Sequence, residues 1–402
     1  MRNFFLLIVI FTGCHSFAQQ GNWVAQIHRP DANNIPFTFD WKTENGKPVW
    51  YIKNAAERIR VDNFEIKGDS FFVQMPVFES QFRFVLKNNR INGVWMKRGA
   101  VNNLQLPMSA TLGSNRFSSH GNADRNIAGR WAVSFVNKSS TRKSVGEFDG
   151  KGNLLTGTFL NATGDYRYLE GIVTRDSLLL SAFDGEHAFL FKAKIENDRT
   201  ISNGIFYSGA EGKQEWNAVK DSNAMMSQES VAIFVKPGEE SLDFSFKDLD
   251  GKQVAIKSER FKNKVVIVQL LGSWCPNCMD ETAFLSEYYN KNRHRGVEII
   301  GLAYEYTTDW ERSIRSLRKF QQRFNVQYPI LNTEVTVQDS LRTEKTLPQL
   351  TRIKFFPSSI IIDKKGKIRK LDTGFNGPGT GSHHLAYKKE FEETMDALVN
   401  EQ

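Results

Sequence analysis

The sequence predicts a multidomain fold: a duplicated all-β N-terminal region, each copy a small barrel or sandwich, followed by a C-terminal α/β domain. Three observations carry this expectation. From Gly21 to about Lys220, apolar and polar residues alternate in short runs, the two-residue period of half-buried strands. The same region answers itself at an offset of about 108 residues, as a repeat would. Beyond Glu239, continuous apolar runs alternate with helical stretches, the pattern of a sheet covered on both faces. A chain of 402 residues has room for two to four units of ordinary size, and the sequence divides into 19–112, 127–220 and 234–402 behind a leader, 1–18.

The leader sets the compartment. Arg2 precedes the apolar run Phe4 to Phe11, too short to cross a bilayer and the right size for the core of a secretory signal. The expectation is export to the periplasm or cell envelope. Ser16-Phe17-Ala18 offers a cleavage site after Ala18, which releases a soluble protein. Phe11-Thr12-Gly13-Cys14 resembles a lipobox, which would anchor a lipoprotein through Cys14. No later stretch reaches the length of a membrane helix.

Composition narrows the classes. Hydrophobic residues at 40 % and charged residues at 24 % suit folded soluble domains and exclude disorder. The net charge of +8 comes from lysines and arginines scattered among acids, so a solvated surface is expected and no nucleic-acid partner. Three cysteines, Cys14, Cys275 and Cys278, exclude a disulfide-knitted scaffold and a four-thiolate zinc site.

Within the β region, Arg58-Ile59-Arg60-Val61 and Gln81 to Val85 alternate as strands. Asn45-Gly46, Asn92-Gly93 and Asp149 to Gly152 supply hairpin turns, because asparagine and glycine tolerate positive φ. The repeat rests on four ordered matches. Gly21-Asn22-Trp23 is answered by Gly129-Arg130-Trp131, and Phe39-Asp40 by Phe148-Asp149. Ser70-Phe71-Phe72 is answered by Ser177-Leu178-Leu179, and Phe82-Arg83-Phe84 by Phe189-Leu190-Phe191. Gly113 to Asn126 reads as the connector and Asp221 to Ser230 as the next linker. Trp23 and Trp131 are expected in the cores rather than on a ligand-binding face. No cluster of His, Asp and Glu has metal-ligand spacing.

The C-terminal elements follow in order. A leading hairpin turns at Asp250-Gly251, and Val265 to Leu271 is a strand buried on both faces. A helix from Cys278 to about Lys291, a strand Val297 to Leu302 and a helix capped by Asp309 and running to Phe324 come next. Pro357 to Asp363 and Lys367 to Leu371 form a strand pair, and Tyr387 to Val399 a closing helix.

The chemistry concentrates at Trp274-Cys275-Pro276-Asn277-Cys278. Two cysteines where a strand gives way to a helix can close a small ring. The unpaired N–H groups of the helix N-terminus favour a thiolate there. Cys275 is the expected nucleophile and Cys278 the residue that resolves the mixed disulfide. Pro276 suits the first helical turn, where its missing donor costs nothing. A purely structural disulfide is the bland alternative, but so short a loop gains little chain entropy. A zinc half-site finds no second ligand pair, and His383-His384 lacks the spacing for one. The chemistry calls for neither metal nor bound cofactor.

Residues 234–402 resemble the thioredoxin fold, and within it the TlpA/ResA-type thiol-disulfide oxidoreductases of the bacterial envelope, grouped with redoxin and alkyl hydroperoxide reductase-like domains. The resemblance lies in Gly272 to Cys278, Glu281, Gly296 to Gly301, and Phe356-Pro357-Ser358 through Gly366. It implies that Pro357 is a cis proline facing the cysteines, that the backbone of Phe356 is exposed to an extended client, and that Trp274 shields the disulfide. It further implies client protein thiols or disulfides and a membrane-bound redox donor or acceptor as partners. Thioredoxin itself carries a buried aspartate six residues before the first cysteine, where this chain has Gln269. Glu281 is a candidate proton relay, although a solvated glutamate is the ordinary reading of that early helical position. Leu331 to Ile353 reads as an extra polar and helical stretch, an insertion bordering the client groove. Two other functions remain open: a redoxin-type peroxidase, whose motif normally carries a threonine where Gly272-Ser273-Trp274 stands, and a binding or adaptor protein whose β repeats engage an unknown partner.

Overall fold

The computed structural model describes residues 20–118, 123, 125–138, 140–226 and 232–401. The expected leader, with Cys14 and Ala18, lies outside the described residues.

The first β unit is an antiparallel meander of nine strands from Gly21–Ile27 to Leu104–Leu112. Its first and last strands pair, with Trp23 opposite Leu112 and Ile27 opposite Met108, which bends the sheet into a barrel. One seam stays unpaired, between Glu57–Val61 and Asn63–Lys67, the two ends of the sheet. The second unit is wound in the same order, from Gly129–Val136 to Gly212–Lys220, and again joins first strand to last. Here Thr141–Lys151 pairs with Leu154–Asn161, which pairs with Leu169–Thr174, so the ring closes. Trp23 and Trp131 are fully buried, as expected of core residues. The Trp131 indole donates to Ile127 O at 2.8 Å, satisfying its one polar atom.

The turns correct the sequence reading in two places. Asn45-Gly46 is a hairpin turn, with φ of 49° and 75°. Asn92-Gly93 is not: it lies inside the strand Arg90–Lys97, with Gly93 opposite Phe84. A Cβ on Gly93 would overlap Arg83 O, so this glycine serves close packing. The turn falls instead on Asn88-Asn89, with φ of 52° and 56°. Asp149 to Lys151 likewise continue a strand, leaving Gly152 and Asn153 to turn.

The two units are packed on each other through Arg116, which the sequence assigned to the connector, and through residues of their own strands. Arg116, 6 % exposed, donates to Ser181 O of the second unit at 2.9 Å and to Lys53 O of the first. Asn54 donates to Phe183 O at 2.9 Å and accepts from Phe183 N at 3.1 Å. The Phe183 ring stacks on Phe37 at 4.4 Å, extending the first unit's core into the second.

In the C-terminal part the sheet order is Gln253–Ala255, Ser245–Asp248, Ile330–Asn332, Val297–Ala303, Val265–Leu271, Ser358–Ile362, Ile368–Thr373. Val265–Leu271, Val297–Ala303 and Ile330–Asn332 run parallel and the rest antiparallel. Alternate residues of Val265–Leu271 face two cores. Val265, Ile267 and Leu271 meet Leu285 of helix α1 (Pro276–Asn292), Leu317 of α2 (Trp310–Arg323) and Phe391 of α4 (Ser382–Asn400). Val266, Val268 and Leu270 meet Leu347, Leu350 and Ile353. The stretch expected as a polar insertion therefore covers the second sheet face, with α3 (Arg342–Thr346) at its centre. Asp309 caps α2, accepting from Arg312 N at 2.9 Å. Helix α4 begins at Ser382 rather than Tyr387; its buried residues Phe391, Met395 and Leu398 all lie in its second half, so no apolar period marks its first turns in the sequence. Among the described residues, no helix is long and apolar enough to cross a membrane.

Candidate functional site

The buried strand Val265–Leu271 delivers the chain to Gly272, where a Cβ would overlap the Trp274 indole. Glu305 then grips the loop, accepting from Ser273 N at 2.8 Å and from Ser273 Oγ at 2.6 Å. Burial pushes its carboxyl up to about 7, against the pull of those hydrogen bonds. Cys275 is the N-cap of α1, its Sγ accepting from Cys278 N at 3.2 Å, and Pro276 opens the helix. The helix thus starts two positions before the expected Cys278. Cys275 and Cys278 form a disulfide, with Cα atoms 5.2 Å apart. Cys275 is 5 % exposed and Cys278 fully buried. The Phe356–Pro357 peptide is cis, and Phe356 O lies 3.7 Å from Cys275 Sγ. The Trp274 indole donates to Tyr304 O at 2.9 Å, stacks on Tyr306 at 5.1 Å and meets Phe356 edge-on at 5.9 Å. Trp274, Cys275, Pro276, Cys278, Phe356 and Pro357 are therefore gathered at one place.

Glu281 overturns its ordinary reading: it is fully buried, not solvated. It stands three residues beyond Cys278 on the same helix, a spacing that makes the two side chains neighbours. Gln269 Nε2 donates to its Oε2 at 2.7 Å, while Thr282 Oγ1 holds Gln269 Oε1 at 3.1 Å. Burial, opposed by the Gln269 bond and reinforced by Asp372, pushes the Glu281 carboxyl up to about 8. Helix-position rules miss this because they say nothing about which face of α1 meets the sheet. Gln269, a residue that cannot accept a proton, is the partner that orients the buried acid.

The other half of the site comes from the β units, and no sequence signal announced it. The turn at Gly164 to Tyr168 lies against the cysteine motif. The Asn277 side-chain amide accepts from Asp165 N at 3.2 Å and donates to Asp165 O at 3.3 Å. Gly164, with φ of 140°, has no Cβ to obstruct that amide. Gly377 N donates to Asp165 Oδ2 at 3.0 Å. Arg167 donates to Pro276 O at 3.3 Å and pairs with Glu57 of the first unit and, at 3.1 Å, with Asp280 of α1. Burial opposes the Arg167 charge, but Asp280 and Glu57 outweigh it and keep the guanidinium protonated. The Asp280 carboxyl is raised by burial, with Arg167 pulling the other way. Farther out, Arg312 Nε of α2 reaches both Glu79 oxygens, at 2.9 and 3.0 Å. His383 of α4 lies 2.9 Å from Glu147 and 3.0 Å from Arg130. Between the two halves is a cavity of about 240 Å³, lined by Cys275, Trp274 and Tyr306 on one side and by Asn54, Arg167 and His187 on the other. Among the described residues, no group of His, Cys, Asp and Glu is arranged to hold a metal.

The C-terminal part of the chain is similar to known proteins. Residues 236–386 match the Redoxin family. The thiol-disulfide oxidoreductase ResA of Bacillus thuringiensis subsp. konkukian is 29 % identical over 131 residues, 33 % of this chain and 66 % of the relative. ResA of Geobacillus thermodenitrificans is 27 % identical over 146 residues, 36 % of this chain and 73 % of the relative. Among solved structures, a thiol:disulfide interchange protein of the thioredoxin family from Chlorobium tepidum aligns at 19 % identity and a TM-score of 0.30, covering 40 % of this chain and 96 % of that one. The thioredoxin domain of a Bacteroides vulgatus thiol-disulfide oxidoreductase aligns at 22 % identity and a TM-score of 0.29, covering 39 % and 98 %. Residues 236–386 thus form a domain of the Redoxin family.

Proposed function

We propose that the protein is a thiol-disulfide oxidoreductase in which Cys275 is the nucleophile and Cys278 the resolving residue. The observation that carries this reading is the Cys275–Cys278 disulfide at the start of α1, with Cys275 Sγ accepting from Cys278 N and lying beside Phe356 O. The likeness of the C-terminal part to ResA supports it.

In the reduced protein, the Cys275 thiolate attacks one sulfur of a client disulfide, forms a mixed disulfide and expels the first client thiolate, which takes a proton. Cys278 loses its proton and attacks Cys275 Sγ, expelling the second thiolate. Two electrons pass to the client and the internal disulfide forms; run backward, the same steps oxidise a client dithiol. Glu281 is the proposed proton relay for Cys278, Trp274 the shield of the disulfide, and Phe356 with Pro357 the surface for the client. Exchange carries its own electrons, so the reaction uses no bound cofactor. A membrane-bound donor or acceptor would close the cycle in the periplasm or envelope, to which the expected leader delivers the chain, soluble after Ala18 or anchored at Cys14. The two β units, wound alike, are proposed to be copies of one ancestral barrel.

A Cys278→Ser variant should accumulate mixed disulfides with clients, and a further Cys275→Ser change should abolish them; adducts that persist in the double variant refute the assignment. Peroxide consumption by the purified chain separates this reading from a redoxin-type peroxidase.

A further inference from the structure

The β units do more at the site than stand beside it. Cys275, whose sulfur must meet a substrate, is 5 % exposed as a residue. The turn carrying Asp165 and Arg167 is bonded to Asn277, Pro276 and Asp280 around the cysteine motif. Glu79–Arg312 and Arg130–His383 fasten both units to the redox domain, and none of the four residues lines the cavity at Cys275. What remains at Cys275 is a cavity of about 240 Å³. Pockets for drug-sized ligands run from roughly 300 to 1,000 Å³, and a protein client needs about 800 Å² of each partner's surface. A folded protein does not present that surface to a buried cysteine in the wall of such a cavity.

We infer, on the reading of the protein as a thiol-disulfide oxidoreductase, that the β units are a size filter and that the substrate is a low-molecular-weight thiol or disulfide. Reduced Cys275 attacks R–S–S–R within the cavity and RS⁻ leaves. Cys278 then releases the second RS⁻, each taking one proton, so one disulfide becomes two thiols as the enzyme dithiol becomes a disulfide. Both half-reactions use the same sulfur, so a small thiol also carries electrons between Cys275 and any membrane-bound partner.

The test uses the full chain, reduced beforehand and freed of reductant, mixed separately with hydroxyethyl disulfide and with insulin. Loss of enzyme thiols gives the two rate constants. The small disulfide should react at least about 100-fold faster per disulfide, the factor set by an open form populated at about 1 %. A Glu79→Ala/Arg130→Ala chain, altered outside the cavity, should gain about tenfold toward insulin as the open form grows, and stay within about twofold toward the small disulfide. Equal wild-type rates overturn the filter, as does a folded double variant that gains nothing toward insulin. If the double variant does not fold, the wild-type ratio still decides. Failure to react with either disulfide refutes the oxidoreductase reading itself.

Discussion

Replacing Glu281 with glutamine isolates the energetic consequence of a buried acid, because the two side chains have the same shape and only one ionises. In the folded protein this carboxyl is raised from the ordinary glutamate value of 4.5 to about 8, chiefly by burial. In the unfolded chain it returns to the ordinary value. Between those two pH values the folded state holds a proton that the unfolded state has lost. The contribution of this carboxyl to stability therefore falls as pH rises from about 4.5 to about 8 and is constant outside that window. At about 1.4 kcal/mol for each tenfold change in proton affinity, the full loss is on the order of 5 kcal/mol. Glutamine can still accept the Gln269 Nε2 hydrogen bond, so at pH 4 the variant should lie within about 1 kcal/mol of the parent. At pH 9 it should be more stable by several kcal/mol, on the order of the loss just given. Urea unfolding of the oxidised chain at intervals from pH 4 to pH 9 measures this difference. Parallel stability profiles for the two chains would refute the reasoning, since they would mean that Glu281 ionises normally.

Three further outcomes follow from the packing. Gly164→Ala should push the Asn277 amide off Asp165, strain a backbone at φ of 140°, and raise the alkylation rate of reduced Cys275 with the fold retained. Arg167→Met leaves Asp280 and Glu57 without their buried counter-charge and should cost about 3–5 kcal/mol, read as a lowered unfolding midpoint near neutral pH. Trp274→Ala removes the ring between Tyr306 and Phe356 and should speed reduction of the disulfide by dithiothreitol; an unchanged rate would deny Trp274 any shielding role.

The sequence was most informative where chemistry is local. The cysteine pair, its place at a strand-to-helix junction, the Asp309 cap and the burial of Val265–Leu271 all follow from neighbours in the chain. Strand periodicity marks the β units, but Asn92-Gly93 has the local pattern of a turn while its place in a strand is set by Arg83 and Phe84 on the adjacent strand. The same holds for Glu281, whose buried carboxyl is met by Gln269, twelve residues earlier on the sheet. Least legible was the far wall of the site, since Arg167 and Asp165 meet the motif only through contacts between units more than 100 residues apart in the chain, and no local pattern encodes that.

Asn277 gives the spacer between the cysteines a second obligation. Its amide holds the Asp165 backbone as a neighbouring strand would, so this position is claimed from outside its own domain. In a free-standing dithiol domain the two intervening residues can drift, and each exchange retunes the sulfur chemistry alone. Here any exchange also alters how the β units dock, so redox tuning and domain assembly can only evolve together.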